Sequence, residues 1–558
     1  MLVNAYSVLN YNRCRRFAAL NDPYTALYLN EEFYEENSLF RDIFLSHIYH
    51  PNKEIRKNVN LTFEFEHEIT LSENYDFLVD EKYVYCVLPN SAREFLNLKY
   101  RDGSHKYQVF TKNPDGIYRV RKNVSESKNF QEKMDKLKSH FEGLGRIVFS
   151  FALKNYILKK SSPLKSYKLR FVLLNSDYKF DGISYSDKLY HIFDFSNLDG
   201  LDEMVEIALF RMINHIELND FTPCVLVKKA CGRNRDNECK FVKFCYSHLP
   251  KDTSILEYFN SHYGFLEPTN HGNIHHDTYD LLNDGYVSMQ DIPLSWLNDQ
   301  NHLMQRYCID NSTIFFHNNK IQKGLSELKY PLYFLDFEAV PRAIPKFKGE
   351  SPYSQSVFQY SIHIQNTPDE DIKIYDNHHS FIANPSKDER KKLLESMLNI
   401  FSNHDSSIVV YNKTFEKTRF EEFKEEFPEY KNKINKIIDR LFDLLDIVKI
   451  NRAFYLALGF EEKDLESYNL YHPDLGGSYS LKKVIKLFNP EAYEDLLIND
   501  GVKAYKAYLK ISDSSKVEKE SIERNLFKYC RQDTYSMYEI IQGLKKLLNN
   551  PYSSVNNS

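Results

Sequence analysis

Apolar and polar residues alternate most regularly shortly after residue 330. In VFQYSIHIQ (357–365), aromatic and aliphatic side chains alternate with Gln, Ser and His, which is the period of a strand with one buried face. The preceding PLYFLDFEAV (331–340) is apolar almost throughout, and IKIYDNH (372–378) is also rich in β-branched and aromatic residues. The pattern therefore predicts three strands in succession.

A different period follows these strands. Apolar residues recur at helical spacing in several segments, and SIVVYN forms one short β-branched run. The predicted helices cover 386–403, 416–427, 434–452 and 517–547, and the predicted strand covers 407–412. Three strands followed by helices that are interleaved with another strand resemble the ribonuclease H-type arrangement.

The N-terminal half mixes both periods. KYVYCVL (82–88), YKLRFVLL (167–174) and KLYHIFDF (188–195) predict strands, whereas FQEKMDKLKSHFEGL (130–144) predicts an amphipathic helix. Both halves therefore belong to the α/β class. The predicted layout is an α/β module at 1–250, a helical connector at 251–328, a second α/β domain at 329–547 and a disordered polar tail at 548–558.

Composition and charge narrow the class of protein. A chain of 558 residues with 42% apolar and 27% charged residues exceeds one ordinary domain. No apolar run approaches the roughly 18 residues that a membrane span requires, and the N-terminus does not follow the pattern of a secretory signal, so we expect a cytoplasmic protein without a membrane partner. A net charge of −5 excludes a polycation but permits local basic grooves. Nucleic acid therefore remains a candidate partner.

Carboxylates occur at three places in the C-terminal domain. Asp336 and Glu338 are two residues apart in a predicted strand, so both project from one face, where they repel each other unless a cation lies between them. Glu416 falls in the first turn of the helix that follows Asn412. In the last helix a carboxylate lies at i+4 from a tyrosine and thus on the same face; this pair is Tyr529 and Asp533. Each element alone is common at solvated surfaces.

Together the three elements resemble the DnaQ-like (DEDD) exonuclease family, which has D-x-E on its first strand, N-x-x-F-D at a later helix and Y-x-x-x-D on its last helix. The resemblance implies a two-metal 3′→5′ exonuclease using Mg²⁺ or Mn²⁺. It implies that the ligands are Asp336, Glu338, Glu416 and Asp533, and that the Tyr529 hydroxyl positions the nucleophile. Glu416 stands where the family has Asp, so Asp443 is an alternative fourth ligand.

Three cysteines cluster late in the N-terminal module as C-x₇-C-x₅-C, a spacing that does not match zinc fingers. With one upstream cysteine they resemble the iron–sulfur nucleases of the RecB and CRISPR-associated type, a PD-(D/E)XK group. The resemblance implies a [4Fe–4S] cluster held by Cys14, Cys231, Cys239 and Cys245. Zinc, or four ordinary thiols, are the alternatives.

The nuclease motif of this module is degenerate. The family requires an Asp on one strand and Glu-x-Lys on the next, and here Asp76 is followed by Cys86 and Leu88 at the latter positions. We therefore expect the module to be catalytically inactive and to serve binding or structure. Candidate phosphate contacts are the basic run at 154–170 and, in the C-terminal domain, Asn412, Lys482 and Lys483.

Nearly the whole chain resembles a bacterial family of unknown function that fuses a RecB-like module to a DnaQ-like exonuclease domain. The hypothesis is a metal-dependent 3′→5′ exonuclease acting on DNA or RNA, with an iron–sulfur nucleic-acid-binding module. The alternative is a non-catalytic nucleic-acid-binding or scaffold protein built from degenerate nuclease folds.

Overall fold

A computed structural model describes residues 1–20, 34–66, 68–121, 127–139, 143–218, 239, 241–401 and 405–549. The chain divides into two units. The first contains Met1–Ser247 and Arg342–Ser354, and the second contains His248–Pro341 and Gln355–Ser558. Leu548, the first residue of the predicted tail, is the last residue of a helix, whereas residues 550–558 of that tail and Cys231 lie outside the described residues. Among the described residues, no helix has both the length and the apolar character that crossing a bilayer requires.

The first unit is a mixed α/β structure. Its strands are β1 Leu2–Val3, β2 Ile55–Phe65, β3 Ile69–Val79, β4 Tyr83–Ser91, β5 Lys99–Asp102, β6 His105–Gln108, β7 Phe110–Lys112, β8 Ile117–Val120, β9 Lys168–Leu174 and β10 Tyr190–Phe193. Its helices are α1 Ala5–Arg13, α2 Arg15–Leu20, α3 Tyr34–Ile48, α4 Arg93–Asn97, α5 Lys128–Ser139, α6 Leu144–Ser161, α7 Leu201–Leu218 and α8 Val242–Cys245.

An eight-stranded sheet organises this unit, with the order β1-β3-β4-β9-β10-β8-β7 and with β2 paired to β3. The central strands β4 and β9 are parallel. Helix α6 is apolar on most sides, and its Phe151, Leu153 and Ile157 are fully buried in the core. A helix that is apolar all round is typical of one covered by other elements, which fits the position of α6 in the core.

The segment Arg342–Ser354 belongs to the first unit although it joins two strands of the second. Ala343 and Ile344 are buried in one apolar cluster with aromatic residues of α3. The backbone N–H of Gly349 donates to the Phe180 carbonyl at 2.8 Å. The segment therefore has its own apolar and hydrogen-bonded anchors within the first unit.

The second unit is also a mixed α/β structure. Its strands are β11 Phe265–Thr269, β12 Gly272–His276, β13 Phe315–Phe316, β14 Leu332–Pro341, β15 Gln355–Gln365, β16 His378–Ile382, β17 Ile408–Val410, β18 Leu441–Asp443 and β19 Leu470–Tyr471. Its helices are α9 Thr278–Asn283, α10 Gln300–Asp310, α11 Asn318–Ser326, α12 Arg390–Ile400, α13 Thr414–Glu426, α14 Lys431–Ile438, α15 Arg452–Ala457, α16 Leu481–Val484, α17 Gly501–Lys510 and α18 Lys516–Leu548.

A five-stranded sheet with the order β16-β15-β14-β17-β18 lies at the centre of the second unit. The strand β14 pairs antiparallel with β15 and parallel with β17. On one face of β14, Phe334 packs in a cluster that includes Ile540 of α18. On the other face, Leu335 and Phe337 pack in a cluster that includes residues of α12 and α13. Both faces are covered, which explains the continuous apolar run of this strand.

Two sequence-based predictions in this unit are wrong. The third strand is β16, not 372–378, because that segment turns: the N–H of Asp376 donates to the Lys373 carbonyl at 2.8 Å, and Asn377 has a φ of 44°. The predicted helix 434–452 is interrupted by β18, which pairs parallel with β17. Its Leu441 and Phe442 suit a strand as well as a helix, so the apolar pattern alone does not separate the two.

The segment 251–328, which we predicted as a helical connector, lies within the second unit. It contains the helices α9, α10 and α11, but also the antiparallel hairpin of β11 and β12. Its strand β13 pairs with β19, which follows the five-stranded sheet in the sequence. This segment is therefore part of the second unit's structure.

Candidate metal centre

The strand β14 presents two carboxylates on the face that α18 covers. Asp336 is half-buried and Glu338 is 8% exposed. They pair with Ser361 and Gln359 of β15, and the ladder is irregular directly after Glu338. Alternation along the strand places both on the side of Phe334, as the sequence predicts.

The long helix α18 supplies the third carboxylate. Ser515 and Glu518 form a capping box at its start, which fixes where the helix begins. The Gln359 amide donates to the Leu526 carbonyl at 2.9 Å and attaches the helix to β15. Cys530 Sγ lies 3.4 Å from Asp336 Oδ2, and Asp533, which is 5% exposed, follows on the buried side of the helix.

Asp336, Glu338 and Asp533 converge. Each offers a carboxylate oxygen, and the three oxygens lie within 4.8 Å of one another. In the part of the chain that the structure describes, this is the one group of three or more His, Cys, Asp or Glu residues with that geometry. Burial, and then the charge of Asp533, raises the pKa of Asp336 well above its usual value. Burial, and then the charges of Asp336 and Asp533, has the same effect on the pKa of Glu338.

Polar groups surround Asp533. The Tyr493 hydroxyl donates a hydrogen bond to Asp533 Oδ1, and Tyr529 lies one turn before Asp533 on α18. Lys482 Nζ donates to the Tyr529 hydroxyl at 3.0 Å and to the Asn499 carbonyl at 2.6 Å. Burial raises the pKa of Asp533 to about 6, and the Lys482 charge and the tyrosine hydroxyls limit the rise. The tyrosine of the predicted motif therefore lies in the site.

Sequence reasoning missed Tyr493 and assigned Lys482 only to a backbone phosphate. In the sequence, both residues lie after β18, the last strand of the five-stranded sheet, and before α18. That segment contains short helices and no recognisable motif. The i,i+4 pattern that identifies Tyr529 depends on one helix, whereas these two residues reach Asp533 through tertiary folding. No local signal therefore predicts them.

Glu416 lies in the first turn of α13 and is 3% exposed. Its Oε2 atom is buried and accepts no hydrogen bond from any described residue. Burial, and then the charge of Asp336, raises its pKa well above the usual value. A buried carboxylate oxygen without a donor is costly unless a cation or water satisfies it.

Asp443, the alternative fourth ligand, has a different environment. Its carboxylate accepts backbone N–H groups from Asn412 at 2.9 Å, Lys413 at 2.8 Å and Leu445 at 3.0 Å. These bonds hold the turn that leads into α13, in which the exposed Asn412 has a φ of 68°. The donors to Asp443 come from the backbone, whereas Glu416 interacts electrostatically with Asp336. This difference favours Glu416 as the ligand.

The donor set fits a hard divalent cation. It consists of carboxylate oxygens, which Mg²⁺ and Mn²⁺ prefer over sulfur or imidazole. Besides burial, the charge of Asp533 raises the pKa of Asp336, and the charges of Asp336 and Asp533 raise the pKa of Glu338; a bound cation would relieve this repulsion. The unpartnered Oε2 of Glu416 is a further oxygen that a cation would satisfy.

The predicted cysteine ligands lie in two segments that approach each other. Cys239 and Cys245 are buried and Cys14 is partly exposed. Phe17, three residues after Cys14, contacts Phe241 with ring centroids 5.3 Å apart. Within the described residues these three sulfurs do not form a group in which all lie within 4.8 Å of one another, and Cys231 lies outside those residues.

Two carboxylates on β3 of the first unit, Glu73 and Asp76, are paired with protein cations. Asp76 forms an ion pair with Arg41, with Nε and Oδ1 2.6 Å apart, and accepts the N–H of Val87 at 2.7 Å. The buried Glu73 forms an ion pair with the buried Lys154. Protein cations therefore already occupy positions beside these carboxylates.

Four of the predicted phosphate contacts are also paired with carboxylates. Lys159 bonds Asp202 at 2.9 Å and Lys165 bonds Glu81, and Lys154 is buried as described above. Lys483 bonds Asp252 at 2.9 Å. The basic run of the first unit therefore presents less unbalanced positive charge than its sequence suggests.

Comparisons with known proteins give relatives without assigned functions. Residues 333–480 match a family model described as a domain of unknown function, DUF2779. The chain is 29% identical over 252 residues to the uncharacterized protein MG366 of Mycoplasma genitalium, and this alignment covers 42% of this chain and 35% of that protein. It is 27% identical over 261 residues to the uncharacterized protein UU173 of Ureaplasma parvum, covering 43% of this chain and 36% of that protein.

The chain thus spans about a third of the length of these curated relatives. No solved structure matches it. The matched segment 333–480 contains Asp336, Glu338 and Glu416, whereas Lys482 and Asp533 lie beyond it.

Proposed function

We propose that the second unit is a metal-dependent 3′→5′ exonuclease that hydrolyses phosphodiester bonds of nucleic acid. The observation that carries this proposal is the convergence of Asp336, Glu338 and Asp533 from one strand and one distant helix. Two features of the fold add support: the sheet order with β14 at its centre, and the position of the terminal helix against β14, which resemble the ribonuclease H-type arrangement.

Asp336, Glu338 and Asp533 would hold one Mg²⁺ or Mn²⁺ ion, and Asp336 with Glu416 would hold a second. When bound, such ions supply Lewis acidity to the phosphate and lower the pKa of a coordinated water. The protein supplies the rest of the site. Tyr493 fixes the Asp533 carboxylate by a hydrogen bond, and the Tyr529 hydroxyl would orient the attacking water.

The first unit would be a RecB-like module that has lost its own cleavage chemistry. The ion pairs of Asp76 with Arg41 and of Glu73 with Lys154 support this proposal, because a paired carboxylate is a poor ligand for a further cation.

The approach of the Cys14 segment to the segment of Cys239 and Cys245 supports a shared iron–sulfur cluster. Anaerobic purification tests it: a brown protein with iron is expected, and stoichiometric zinc would reassign the site.

End-labelled oligonucleotides test the activity and its polarity. DNA and RNA strands carrying a label at either end are incubated with Mg²⁺, Mn²⁺ or EDTA. We expect 3′-labelled strands to release labelled mononucleotides at once, 5′-labelled strands to shorten stepwise, and EDTA to stop both. Binding of the same strands without any metal-dependent cleavage would instead indicate the non-catalytic nucleic-acid-binding protein.

A further inference from the structure

Lys482 places a positive charge inside the candidate metal centre. Its Nζ atom lies 4.7 Å from the ring centroid of Tyr529 and 5.5 Å from that of Tyr493. Tyr493 donates a hydrogen bond to Asp533, and Tyr529 precedes Asp533 by one helical turn. The Lys482 charge lowers the pKa of Asp336, Glu338 and Asp533, so it interacts with all three carboxylates of the group.

The hydrogen bonds of this ammonium leave one donor available. A lysine ammonium has three N–H donors. Within the described residues Lys482 makes two hydrogen bonds, to the Asn499 carbonyl and to the Tyr529 hydroxyl. Neither acceptor is charged, so the positive charge is held by two neutral oxygens and forms no ion pair with a single carboxylate.

The backbone on the other side of Glu338 is close as well. A Cβ atom at Gly501 would lie 3.6 Å from Glu338 Oε2. Gly501 is the first residue of α17 and follows Asn499 by two positions. The contacts of Lys482 and Gly501 thus place the segment 499–501 along one side of the site.

We propose that Lys482 is a catalytic residue that binds a non-bridging oxygen of the scissile phosphate through its third N–H. This inference rests on the proposed exonuclease function and adds the group that recognises the reacting phosphate. A phosphodiester carries one negative charge, and more charge develops on its non-bridging oxygens during hydrolysis. A fixed ammonium at that point stabilises the transition state more than the ground state.

This role predicts opposite effects on turnover and on metal affinity. Replacing Lys482 with methionine removes a transition-state contact, which typically costs about 100-fold or more in kcat. The same substitution removes a cation that repels a divalent ion at the carboxylates, and even at the dielectric constant of bulk water, about 80, this should tighten Mn²⁺ binding roughly tenfold. A residue that merely supports the fold would weaken both properties together.

The experiment compares wild type, Lys482→Met, Lys482→Arg and the matched control Lys391→Met. Lys391 is half-exposed and bonds Glu429 on the surface. For each protein, Mn²⁺ affinity is measured by electron paramagnetic resonance, and kcat is measured on a 3′-labelled strand. We expect Lys482→Met to bind Mn²⁺ more tightly while kcat collapses, Lys482→Arg to restore part of kcat, and the control to match wild type.

Two results would overturn the inference. One is an unchanged kcat in Lys482→Met; the other is a parallel loss of kcat and Mn²⁺ affinity in a protein whose thermal unfolding is unchanged. If Lys482→Met does not fold, Lys482→Arg decides, because a retained charge must keep measurable kcat and wild-type Mn²⁺ affinity. A wild-type protein that neither binds Mn²⁺ nor cleaves refutes the proposed function itself and is therefore distinct from these outcomes.

Discussion

The Tyr493 hydroxyl donates a hydrogen bond to Asp533 Oδ1 across 40 residues of sequence. This bond stabilises the ionised carboxylate and opposes the rise that burial causes in its pKa. It also fixes the orientation of a proposed metal ligand, as outer-shell hydrogen bonds do in metal sites.

Removing this bond should weaken metal binding. Tyr493→Phe keeps the ring but removes the donor, so the pKa of Asp533 rises further and its carboxylate is less ordered. We expect Mn²⁺ affinity to fall about 10-fold or more, measured by calorimetric titration. Tyr263→Phe, at a tyrosine that is 71% exposed, is the control. Equal affinities for the two variants would show that Tyr493 does not act on the site.

Glu416 and Asp443 should respond differently to loss of charge. Glu416→Gln removes a buried negative charge whose Oε2 atom has no donor among the described residues, so we expect cleavage to be lost while thermal stability without metal stays equal or increases. Asp443→Asn weakens two backbone hydrogen bonds at the turn before α13 and a third from Leu445. It should lower the free energy of unfolding by about 1–3 kcal/mol.

Thermal unfolding and 3′-end cleavage of both variants check this assignment. If Asp443→Asn abolished cleavage at unchanged stability while Glu416→Gln remained active, the ligand would be Asp443.

The pKa of Asp533 sets a pH window. It is raised from 3.8 to about 6 in the folded protein, so the unfolded chain ionises first as pH rises. In the absence of metal, the contribution of Asp533 to the free energy of unfolding is therefore fully present below about pH 4, and it is lost as pH rises through 6. Ionised Asp533 is also the form that binds cations. We expect the increase in melting temperature on adding Mn²⁺ to grow between pH 5 and 7, and scanning calorimetry measures it. An increase that shrinks across this range would contradict the assignment.

The first unit should contribute stability rather than cleavage. Lys154→Met leaves Glu73 buried without its partner, and breaking a buried pair in this way typically costs about 3–5 kcal/mol. Asp76→Asn should leave 3′-end cleavage unchanged. Denaturant unfolding and the cleavage assay on both variants test this division. Endonucleolytic cuts that disappear in Asp76→Asn would show that the first unit is active.

Strand alternation and helical spacing predict some residues of the candidate metal centre and do not predict others. Alternation along β14 predicts that Asp336 and Glu338 share a face, and i,i+4 spacing predicts the same for Tyr529 and Asp533, because each relation lies within one element. Lys482 reaches the site through tertiary folding that no local period encodes.

Tertiary contacts also explain why two other features differ from their sequence-based predictions, the burial of Lys154 and the conformation of β18. The sequence predicts that Lys154 belongs to a basic surface, but its side chain is 8% exposed and pairs with Glu73. Its burial depends on the elements that pack against α6, which the local sequence does not reveal. The strand β18 reads as part of a helix, because pairing with β17 decides its conformation. Propensity is a weak guide where tertiary contacts are strong.

The proposal that Asp336 belongs to a metal-dependent cleavage site is tested by measuring Mn²⁺-dependent release of mononucleotides from a 3′-labelled strand. Wild type is compared with Asp336→Asn and with the control Asp369→Asn, which changes an exposed aspartate outside the site. We expect wild type and Asp369→Asn to release mononucleotides, and we expect the rate of release by Asp336→Asn to be lower by at least about 100-fold. Equal release by all three proteins would contradict this proposal.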